Sequence, residues 1–236
     1  MSVRDRVAVI TGAAGNLGTA VTQRFLEEGA RVVASCRNSS EQDAICGAFP
    51  PQANLVPVTA DVTVEGDAER LMGEAHAQLG GPHILLNLVG GYAAGAAVAD
   101  TDLAAWEHML ALNLTSAFLC SKHALHYMVP QDYGRIVAVS SKVAVDLRAK
   151  SAAYAVSKAG VVSLVKCLAD EVKGTNVAAT AIMPSIIDTP VTRAARPQAD
   201  TSKWVTPEQI AEVLLFLAGE EARTINGAVL SLFGGV

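Results

Sequence analysis

The sequence predicts a three-layer α/β fold, in which a parallel sheet of seven strands is covered by helices on both faces. Short apolar runs alternate with longer helical patterns along all 236 residues. The runs are β-branched and apolar on both faces, as strands buried in a parallel sheet are. No linker, repeat or low-complexity segment interrupts this alternation. Such a pattern builds crossover units on one doubly wound sheet, so we expect a single domain over residues 1–236.

Each predicted element is placed by its own local pattern. The strands are expected at 6–11, 31–35, 55–58, 84–87, 135–139, 177–182 and 228–232. The helices are expected at about 16–28, 40–48, 65–79, 103–129, 152–173 and 207–218. Ser39 with Gln42, and Thr206 with Gln209, have the spacing of capping boxes, which mark the first turns of two helices.

The composition excludes several classes of partner. The net charge is −5 and no basic run is present, whereas affinity for nucleic acid depends on clustered lysine and arginine. No uninterrupted apolar run approaches the roughly 20 residues that span a bilayer, so we expect no membrane partner. The four cysteines lie far apart without a Cys-x-x-Cys pair, which is typical of reduced thiols. We therefore expect a cytoplasmic protein.

A glycine-rich turn follows the first predicted strand. The segment Thr11-Gly12-Ala13-Ala14-Gly15-Asn16-Leu17-Gly18 runs directly into the first predicted helix. Glycines let the backbone approach a pyrophosphate, whose charge the N-terminus of the helix stabilises. This placement predicts a dinucleotide site of the Rossmann type. The alternative is a tight strand–helix turn that binds no ligand.

A second group of residues has the chemistry of proton transfer. Tyr154 and Lys158 are spaced to share one face of a helix, and a neighbouring ammonium lowers the pKa of a phenol, which then exchanges protons with a substrate oxygen. Ser141 ends the fifth strand, at the sheet edge where such folds bind ligands. Asn113 lies among apolar neighbours inside the predicted helix 103–129. It is either a core amide satisfied by the backbone or a member of the site.

Together these residues resemble the short-chain dehydrogenase/reductase family over essentially the whole chain. The glycine turn is similar to the family's Thr-Gly-x-x-x-Gly-x-Gly motif, and the four positions Asn113, Ser141, Tyr154 and Lys158 match its catalytic tetrad in order and spacing. Asp61-Val62 resembles the family's adenine contact, and residues 87–90 resemble its Asn-Asn-Ala-Gly motif. Pro184 with Thr189 is similar to the segment that closes over the nicotinamide, and residues 226–235 are similar to the family's last strand.

Three positions depart from the family pattern. Asn16 stands where the family usually has glycine, which changes the geometry of the turn. Leu88 replaces the second asparagine of the central motif and removes one polar contact. Ser185 replaces the glycine after Pro184, so the clamp over the nicotinamide is expected to shift slightly.

The resemblance implies an NAD(P)(H)-dependent oxidoreductase that moves a hydride reversibly between the nicotinamide and a carbonyl or alcohol of a small substrate. It implies Tyr154 as general acid in reduction and general base in oxidation, with Ser141 polarising the carbonyl. Lys158 would lower the pKa of Tyr154 and hold the nicotinamide ribose, and Asn113 would anchor a water that relays protons to Lys158. The implied cofactor contacts are Thr11, Gly12, Gly15, Asn16, Leu17, Gly18, Arg37, Asp61, Val62, Asn87, Gly90, Tyr154, Lys158, Pro184, Ile187 and Thr189.

The segment after the second strand favours NADP(H) over NAD(H). A carboxylate there would bind the ribose 2′-hydroxyl and repel a 2′-phosphate. Ser35-Cys36-Arg37-Asn38 contains no acid and one arginine. Cys36 stands where NAD-preferring members commonly have aspartate, and Arg37 is placed to pair with a phosphate. Since the glycine turn adds no second basic group, we expect a modest preference. In the alternative, Arg37 stacks on adenine or lies in solvent.

The substrate is less well defined by the sequence. A short lid is expected at about 185–205, with Tyr92 and Trp204 as candidate aromatic walls of the pocket; alternatively, either ring packs the lid down. Segments 90–95 and 189–204 resemble those of dihydropteridine reductases within the same family. A quinonoid pterin and a 3-oxoacyl thioester are therefore alternative substrates. A catalytically silent dinucleotide-binding regulator is the alternative outside enzymes, although all four tetrad positions are intact.

Two further expectations concern partners and metals. The resemblance implies a homotetramer or homodimer built on the helices 103–129 and 152–173, although their apolar residues could equally all face their own sheet. His123 and His126 lie three residues apart on a predicted helix. Since no third ligand is evident, we predict no metal site.

Overall fold

The centre of the fold is a sheet of seven parallel strands in the order β3-β2-β1-β4-β5-β6-β7. The computed structural model describes residues 3–51 and 54–236. The strands are β1 (Val7–Thr11), β2 (Arg31–Cys36), β3 (Leu55–Thr59), β4 (Ile84–Asn87), β5 (Gly134–Val139), β6 (Val177–Pro184) and β7 (Val229–Leu232). All seven predicted strands are confirmed.

The helices are α1 (Asn16–Glu27), α2 (Ser39–Ala48), α3 (Glu65–Leu79), α4 (Leu103–Leu110), α5 (Ser116–Met128), α6 (Ala152–Glu171), α7 (Pro190–Ala195) and α8 (Pro207–Ala218). The predicted capping box of Thr206 and Gln209 is confirmed. The one predicted at Ser39 is wrong, because Asn38 caps α2 instead and its side chain accepts from the Glu41 N–H at 3.0 Å. A short amide side chain reaches the free N–H groups of a first helical turn well, so the helix begins one residue earlier.

The single helix predicted at 103–129 is interrupted. A π-helical turn, Ala111–Thr115, separates α4 from α5. Asn113 lies inside this turn and is 1% exposed. Turns of this kind are frequent at functional sites because the widened backbone re-aims a side chain. Helical periodicity alone does not reveal the interruption, since the apolar pattern continues on both sides of it.

The core has one layer on each face of the sheet. On one face α3, α5 and α6 bury side chains such as Leu71, Ala124 and Val165. On the other face α1, α2 and α8 bury side chains such as Phe25, Ile45 and Leu214. The prediction of helices on both faces is confirmed.

Helix α6 is the one helix in the described residues that is long and apolar enough to cross a membrane by length and composition. Its side chains Val161, Val165 and Leu168 belong to the core against the sheet. Core helices of water-soluble domains commonly have this composition, so the hydropathy of α6 follows from its packing.

The strand order reverses between β1 and β4, which pair with each other while β2 and β3 extend to the far side of β1. Ligands of such sheets bind in the crevice beyond the carboxyl ends of the strands at this switch point. The Thr11 hydroxyl joins the two strand ends. It donates to the Leu86 carbonyl (3.3 Å) and accepts from the Leu88 and Val89 N–H groups (3.0 and 3.3 Å).

Candidate active site

The glycine turn after β1 exposes backbone atoms rather than side chains at the N-terminus of α1. Gly12 has a φ of +67°, a conformation that favours glycine. A Cβ at Gly18 would lie 2.7 Å from the Ala13 Cα and closer still to the Gly12 carbonyl oxygen. Helix α1 therefore packs directly on the strand end. The turn has the form that lets a pyrophosphate approach the helix N-terminus.

A cavity of about 340 Å³ lies in front of this turn. Six of the predicted cofactor residues line it, namely Gly12, Gly15, Arg37, Asp61, Val62 and Gly90. Its other walls are Ala14, Ser35, Glu41, Ala60, Thr63, Leu88, Val89 and Leu112. The cavity thus spans the ends of β1, β2 and β4 and the segment after β3, as the cleft of a dinucleotide would.

Several other predicted cofactor residues do not line this cavity. Thr11 is buried, and its hydroxyl is used to join β1 to β4. Asn87 is also buried and donates to the Ser121 hydroxyl at 3.2 Å, which leaves its side-chain oxygen without a described partner. Leu17 packs against the core, and Asn16 is exposed and lines a separate depression. The Thr11, Leu17 and Asn87 side chains therefore lie in the interior behind the cavity, whereas the Asn16 side chain faces solvent.

Gly90 connects the cavity to the tetrad. A Cβ at this position would lie 2.8 Å from Asn113 Oδ1 and 2.9 Å from Lys158 Nζ. The backbone of the loop after β4 therefore passes directly over two predicted catalytic side chains. Any larger residue at position 90 would have to displace them.

The Ser141 side chain lies close enough to Tyr154 to lower the pKa of its phenol. Ser141 follows the end of β5 and is 7% exposed, and its oxygen accepts from the Val143 N–H at 3.3 Å. Tyr154 lies in the first turn of α6. Burial raises the pKa of Tyr154 above its usual value of 10, and the neighbouring Ser141 hydroxyl offsets part of that rise. The two hydroxyls converge as a pair that could hold one substrate oxygen.

The expected lowering of the Tyr154 pKa is wrong for this structure, because burial outweighs the favourable contacts. Lys158 is itself buried, and its ammonium donates to the Val139 carbonyl at 2.8 Å. Burial lowers the pKa of Lys158 to about 8. The Ser140 hydroxyl donates to the Lys158 carbonyl at 2.7 Å and holds this turn of α6 on the end of β5.

The side chain of Asn113 fixes the loop after β4. Its Oδ1 accepts from the Gly91 N–H at 2.9 Å, and its Nδ2 donates to the Gly91 carbonyl at 3.2 Å. The same Nδ2 donates to the Ser157 hydroxyl at 3.0 Å, which in turn donates to the Tyr154 carbonyl at 2.8 Å. The amide of Asn113 is therefore satisfied by backbone, as one alternative from the sequence expected, and its membership of the tetrad stays a prediction. Sequence reasoning missed Ser157, which lies between Tyr154 and Lys158.

The two predicted aromatic walls differ in their surroundings. The Tyr92 ring meets the Tyr154 ring edge-on, with centroids 4.9 Å apart, and is 65% exposed. Its loop is held to the segment before α6 by a hydrogen bond from the Gly95 N–H to the Lys150 carbonyl (2.7 Å). Trp204 is only 6% exposed. This burial favours the alternative in which the indole packs the lid down.

The predicted lid at 185–205 leaves the sheet after β6, and its two ends lie next to each other. A bridge between Ile187 and Val205 closes its base. Thr189 caps α7 in a reciprocal capping box with Thr192. The side chain of Thr189, a predicted cofactor contact, is therefore hydrogen-bonded within the lid. Pro184 ends β6, and the hydroxyl of the next residue, Ser185, donates to the Phe233 carbonyl at 2.8 Å. Serine in place of glycine here adds a hydrogen bond between the start of the lid and the segment that follows β7.

Sequence reasoning also missed an acid at the β2 end of the cavity. Glu41 lies in the first turn of α2, and its carboxylate is 3.2 Å from the Arg37 guanidinium. The signal for it was the asparagine N-cap three residues earlier, which directs the third helical residue back toward the strand end.

Comparison with known proteins agrees with this geometry. The model of the short chain dehydrogenase family matches residues 6–200. Cis-4-hydroxycyclohexanecarboxylate dehydrogenase of Sinomonas cyclohexanicum is 33% identical, over 98% of this chain and 96% of its own. The 3-oxoacyl-acyl-carrier-protein reductase FabG of Thermotoga maritima is 29% identical, over 100% and 99%. The structure of ElxO with NADP bound matches with a TM-score of 0.91 at 25% identity and covers 98% of both chains.

These relatives are named as dehydrogenases or reductases, and they match along the whole length of the chain. The cavity at the switch point and the Ser141–Tyr154 pair occupy the edge of the sheet at which such enzymes work. The chain is an oxidoreductase that acts on alcohol or carbonyl groups, and it belongs to the short chain dehydrogenase family.

Proposed function

We propose that this protein transfers a hydride reversibly between NADP(H) and the carbonyl or alcohol of a small substrate, with Tyr154 as the general acid and base. The observation that carries the proposal is the proximity of the Tyr154 and Ser141 side chains, by which Ser141 lowers the pKa of the Tyr154 phenol. Gly90, which lines the cavity, lies against the Lys158 and Asn113 side chains. Proton transfer and cofactor binding are thus adjacent.

The residues present fit a nicotinamide dinucleotide. Gly12, Gly15 and Gly90 line the cavity, and a Cβ at Gly90 would meet Asn113 and Lys158, so backbone forms these parts of its wall. The backbone of Gly12 and Gly15 would hold the pyrophosphate at the α1 N-terminus, and Asp61 and Val62 would flank the adenine. When bound, the nicotinamide supplies or accepts the hydride.

The tetrad residues have separate roles in the proposed reaction. Ser141 would orient the substrate oxygen, and Tyr154 would donate its hydroxyl proton to that oxygen in reduction and take it back in oxidation. Lys158 holds a proton below about pH 8 and would bind the ribose next to Gly90. Asn113 would act through Gly91, keeping the Tyr92 loop against Tyr154.

The preference for NADP(H) rests on Arg37. Its guanidinium lines the cavity at the end of β2, where Cys36 is fully buried and offers no carboxylate. ElxO, a structural neighbour, was solved with NADP bound. We expect Arg37→Gln to weaken NADPH binding and to leave NADH binding within about twofold, since one phosphate contact is lost.

A small secondary alcohol or its ketone is the proposed substrate class, with a 3-oxoacyl thioester as the larger variant. The relatives named for hydroxycyclohexanecarboxylate and for 3-oxoacyl-acyl-carrier-protein support both. A quinonoid dihydropterin is the second candidate. The exposed Tyr92 ring against Tyr154 favours it, because an aromatic wall can stack a flat ring.

We also infer one domain over residues 1–236, with a lid at about 185–205, that assembles in the cytoplasm as a homodimer or homotetramer. Helices α5 and α6 support the assembly, because Phe118 and Val156 on them are 46% and 47% exposed. Burial of these two side chains against a second copy would remove apolar surface from water.

The decisive experiment is Tyr154→Phe with a panel of ketones, 3-oxoacyl thioesters and quinonoid dihydropterin, beside Tyr127→Phe as the matched control. Tyr127 stacks on His76, away from the site. We expect Tyr154→Phe to lose about 100-fold or more in kcat/KM, as for loss of a general acid, while NADPH still binds. Full activity in Tyr154→Phe, or an equal loss in Tyr127→Phe, contradicts the proposed role.

A further inference from the structure

The end of the cavity at β2 contains an arginine that is already paired. Glu41 Oε1 lies 3.2 Å from Arg37 Nη2, and Glu41 Oε2 accepts from the Arg37 backbone N–H at 2.7 Å. Both side chains line the cavity together with Ser35. Among the described residues Arg37 makes no other ion pair, and its side chain is 66% exposed. The Arg37 guanidinium is therefore paired with the Glu41 carboxylate, and this ion pair is partly exposed to solvent.

The position of the Glu41 carboxylate is set by the first turn of α2. Asn38 caps α2 and accepts from the Glu41 N–H at 3.0 Å, which orients the first turn toward the strand end. Cys36, the last residue of β2, is fully buried, and its thiol lies 3.6 Å from the Ala34 carbonyl. Glu41 thus presents an acid at the end of β2 although the strand itself supplies none.

The charges of the described cavity walls also oppose a strong phosphate site. Arg37 is the one basic residue among them, and Glu41 and Asp61 are both acidic. A ribose 2′-phosphate adds negative charge next to Arg37, whereas a ribose hydroxyl can donate to a carboxylate. Attraction by Arg37 and repulsion by Glu41 act at nearly the same place, so they largely cancel.

We propose that Glu41 limits the discrimination between NADP(H) and NAD(H), by neutralising Arg37 and by repelling a phosphate on the adenosine ribose. This inference rests on the proposed function and deepens it. The protein then uses both cofactors, with a small advantage for NADP(H), and Glu41 is the specificity-determining residue that keeps the advantage small.

The test is Glu41→Gln, with Asp43→Asn as the matched control. Glutamine keeps an oxygen that can accept from the Arg37 N–H, so the turn is preserved while the charge is removed. Asp43 lies on the same helix, is exposed and does not line the cavity. Dissociation constants are measured by fluorescence or calorimetry for NADPH, NADH, 2′,5′-ADP and 5′-AMP. The last two isolate the phosphate without any chemistry at the nicotinamide.

We expect Glu41→Gln to lower the dissociation constants of NADPH and 2′,5′-ADP by roughly threefold to tenfold, which is the size of a partly exposed charge interaction. NADH and 5′-AMP should stay the same or weaken, and the gain should shrink at high salt. Asp43→Asn should change none of the four constants beyond about twofold, because its charge lies outside the cavity.

Three results would overturn the inference. One is an unchanged NADPH constant in Glu41→Gln; another is an equal shift for all four ligands, which would indicate a structural role. The third is an equal gain in Asp43→Asn, which would indicate a general charge effect. These results leave the proposed function intact. If the wild-type protein binds neither dinucleotide, the proposed function fails, and this inference fails with it.

Discussion

Asn113 and Gly91 form a two-way hydrogen-bonded pair, in which the amide of the side chain accepts from the Gly91 N–H (2.9 Å) and donates to the Gly91 carbonyl (3.2 Å). The pair joins the π-helical turn between α4 and α5 to the loop that follows β4. The next residue of that loop, Tyr92, meets the Tyr154 ring. A buried amide thereby sets the position of an aromatic ring beside the proposed general acid.

We predict that Asn113→Ala lowers kcat/KM more than it weakens NADPH binding. The change leaves the Gly91 N–H and carbonyl without partners, at a cost of about 1–3 kcal/mol in the free energy of unfolding. Kinetics and urea denaturation measure the two effects. Ser157→Ala is the comparison, since it keeps both bonds to Gly91, and we expect a smaller loss. Equal losses in the two variants would show that the Gly91 pair has no special role.

The Gly18 position is expected to tolerate no side chain. Gly18→Ala places a Cβ 2.7 Å from the Ala13 Cα, so α1 must move away from the glycine turn. We expect NADPH affinity to fall by about tenfold or more and the protein to be destabilised by about 1–3 kcal/mol, as for overpacking. Titration and thermal melting measure this.

Gly47→Ala is the control for this substitution. Position 47 lies in α2 with no atom near the added Cβ. Alanine there should stabilise the helix by about 0.5–1 kcal/mol and leave NADPH binding unchanged. If Gly18→Ala behaves like Gly47→Ala, close contact between α1 and the turn is not required for binding.

Lys158 makes the stability of the protein depend on pH. Burial lowers its pKa from 10.5 to about 8 in the folded state. Between these values the unfolded chain binds more protons than the folded protein, so stability rises with pH from about 8 toward 10.5. Below about 8 the buried charge destabilises the fold in full. We expect Lys158→Met to be more stable than the wild type at pH 7 by about 1–3 kcal/mol.

The measurement is the difference in the free energy of unfolding between Lys158→Met and the wild type at pH 7 and at pH 9.5. Taking the difference removes the opposing effect of buried Cys36, whose pKa is raised to about 11. The advantage of the variant should shrink toward the higher pH. A constant difference would mean that Lys158 titrates equally in the folded and unfolded states.

Arg135 is expected to be a main contributor to stability at the end of the sheet opposite the site. It is 1% exposed, lies over the Tyr133 ring and pairs with Glu220 at 3.1 Å. Arg135→Ala should cost about 3–5 kcal/mol, because it leaves buried partners unsatisfied. Arg70→Ala, at an exposed pair with Asp67, should cost under about 1 kcal/mol. Denaturant unfolding of both variants compares them, and similar costs would contradict the prediction.

Much of the fold was predictable because its signals are local. A run of β-branched residues predicts a buried strand wherever it occurs, and all seven strands were found in this way. The proton-transfer pair was predictable for the same reason, since Tyr154 and Lys158 are one helical turn apart. Family resemblance then supplied the roles of Ser141 and Asn113, which lie far from that pair along the chain.

The sequence by itself thus determined the parallel sheet and the glycine turn, and it predicted the tetrad. The tertiary structure decided three further points: Asn113 binds Gly91, Lys158 faces Val139, and Glu41 meets Arg37 in the cavity. Burial decided a fourth, the raised pKa of Tyr154. The physical reason is range. Propensity and periodicity act between near neighbours in sequence, whereas burial and hydrogen-bond partners depend on which distant segments the fold brings together.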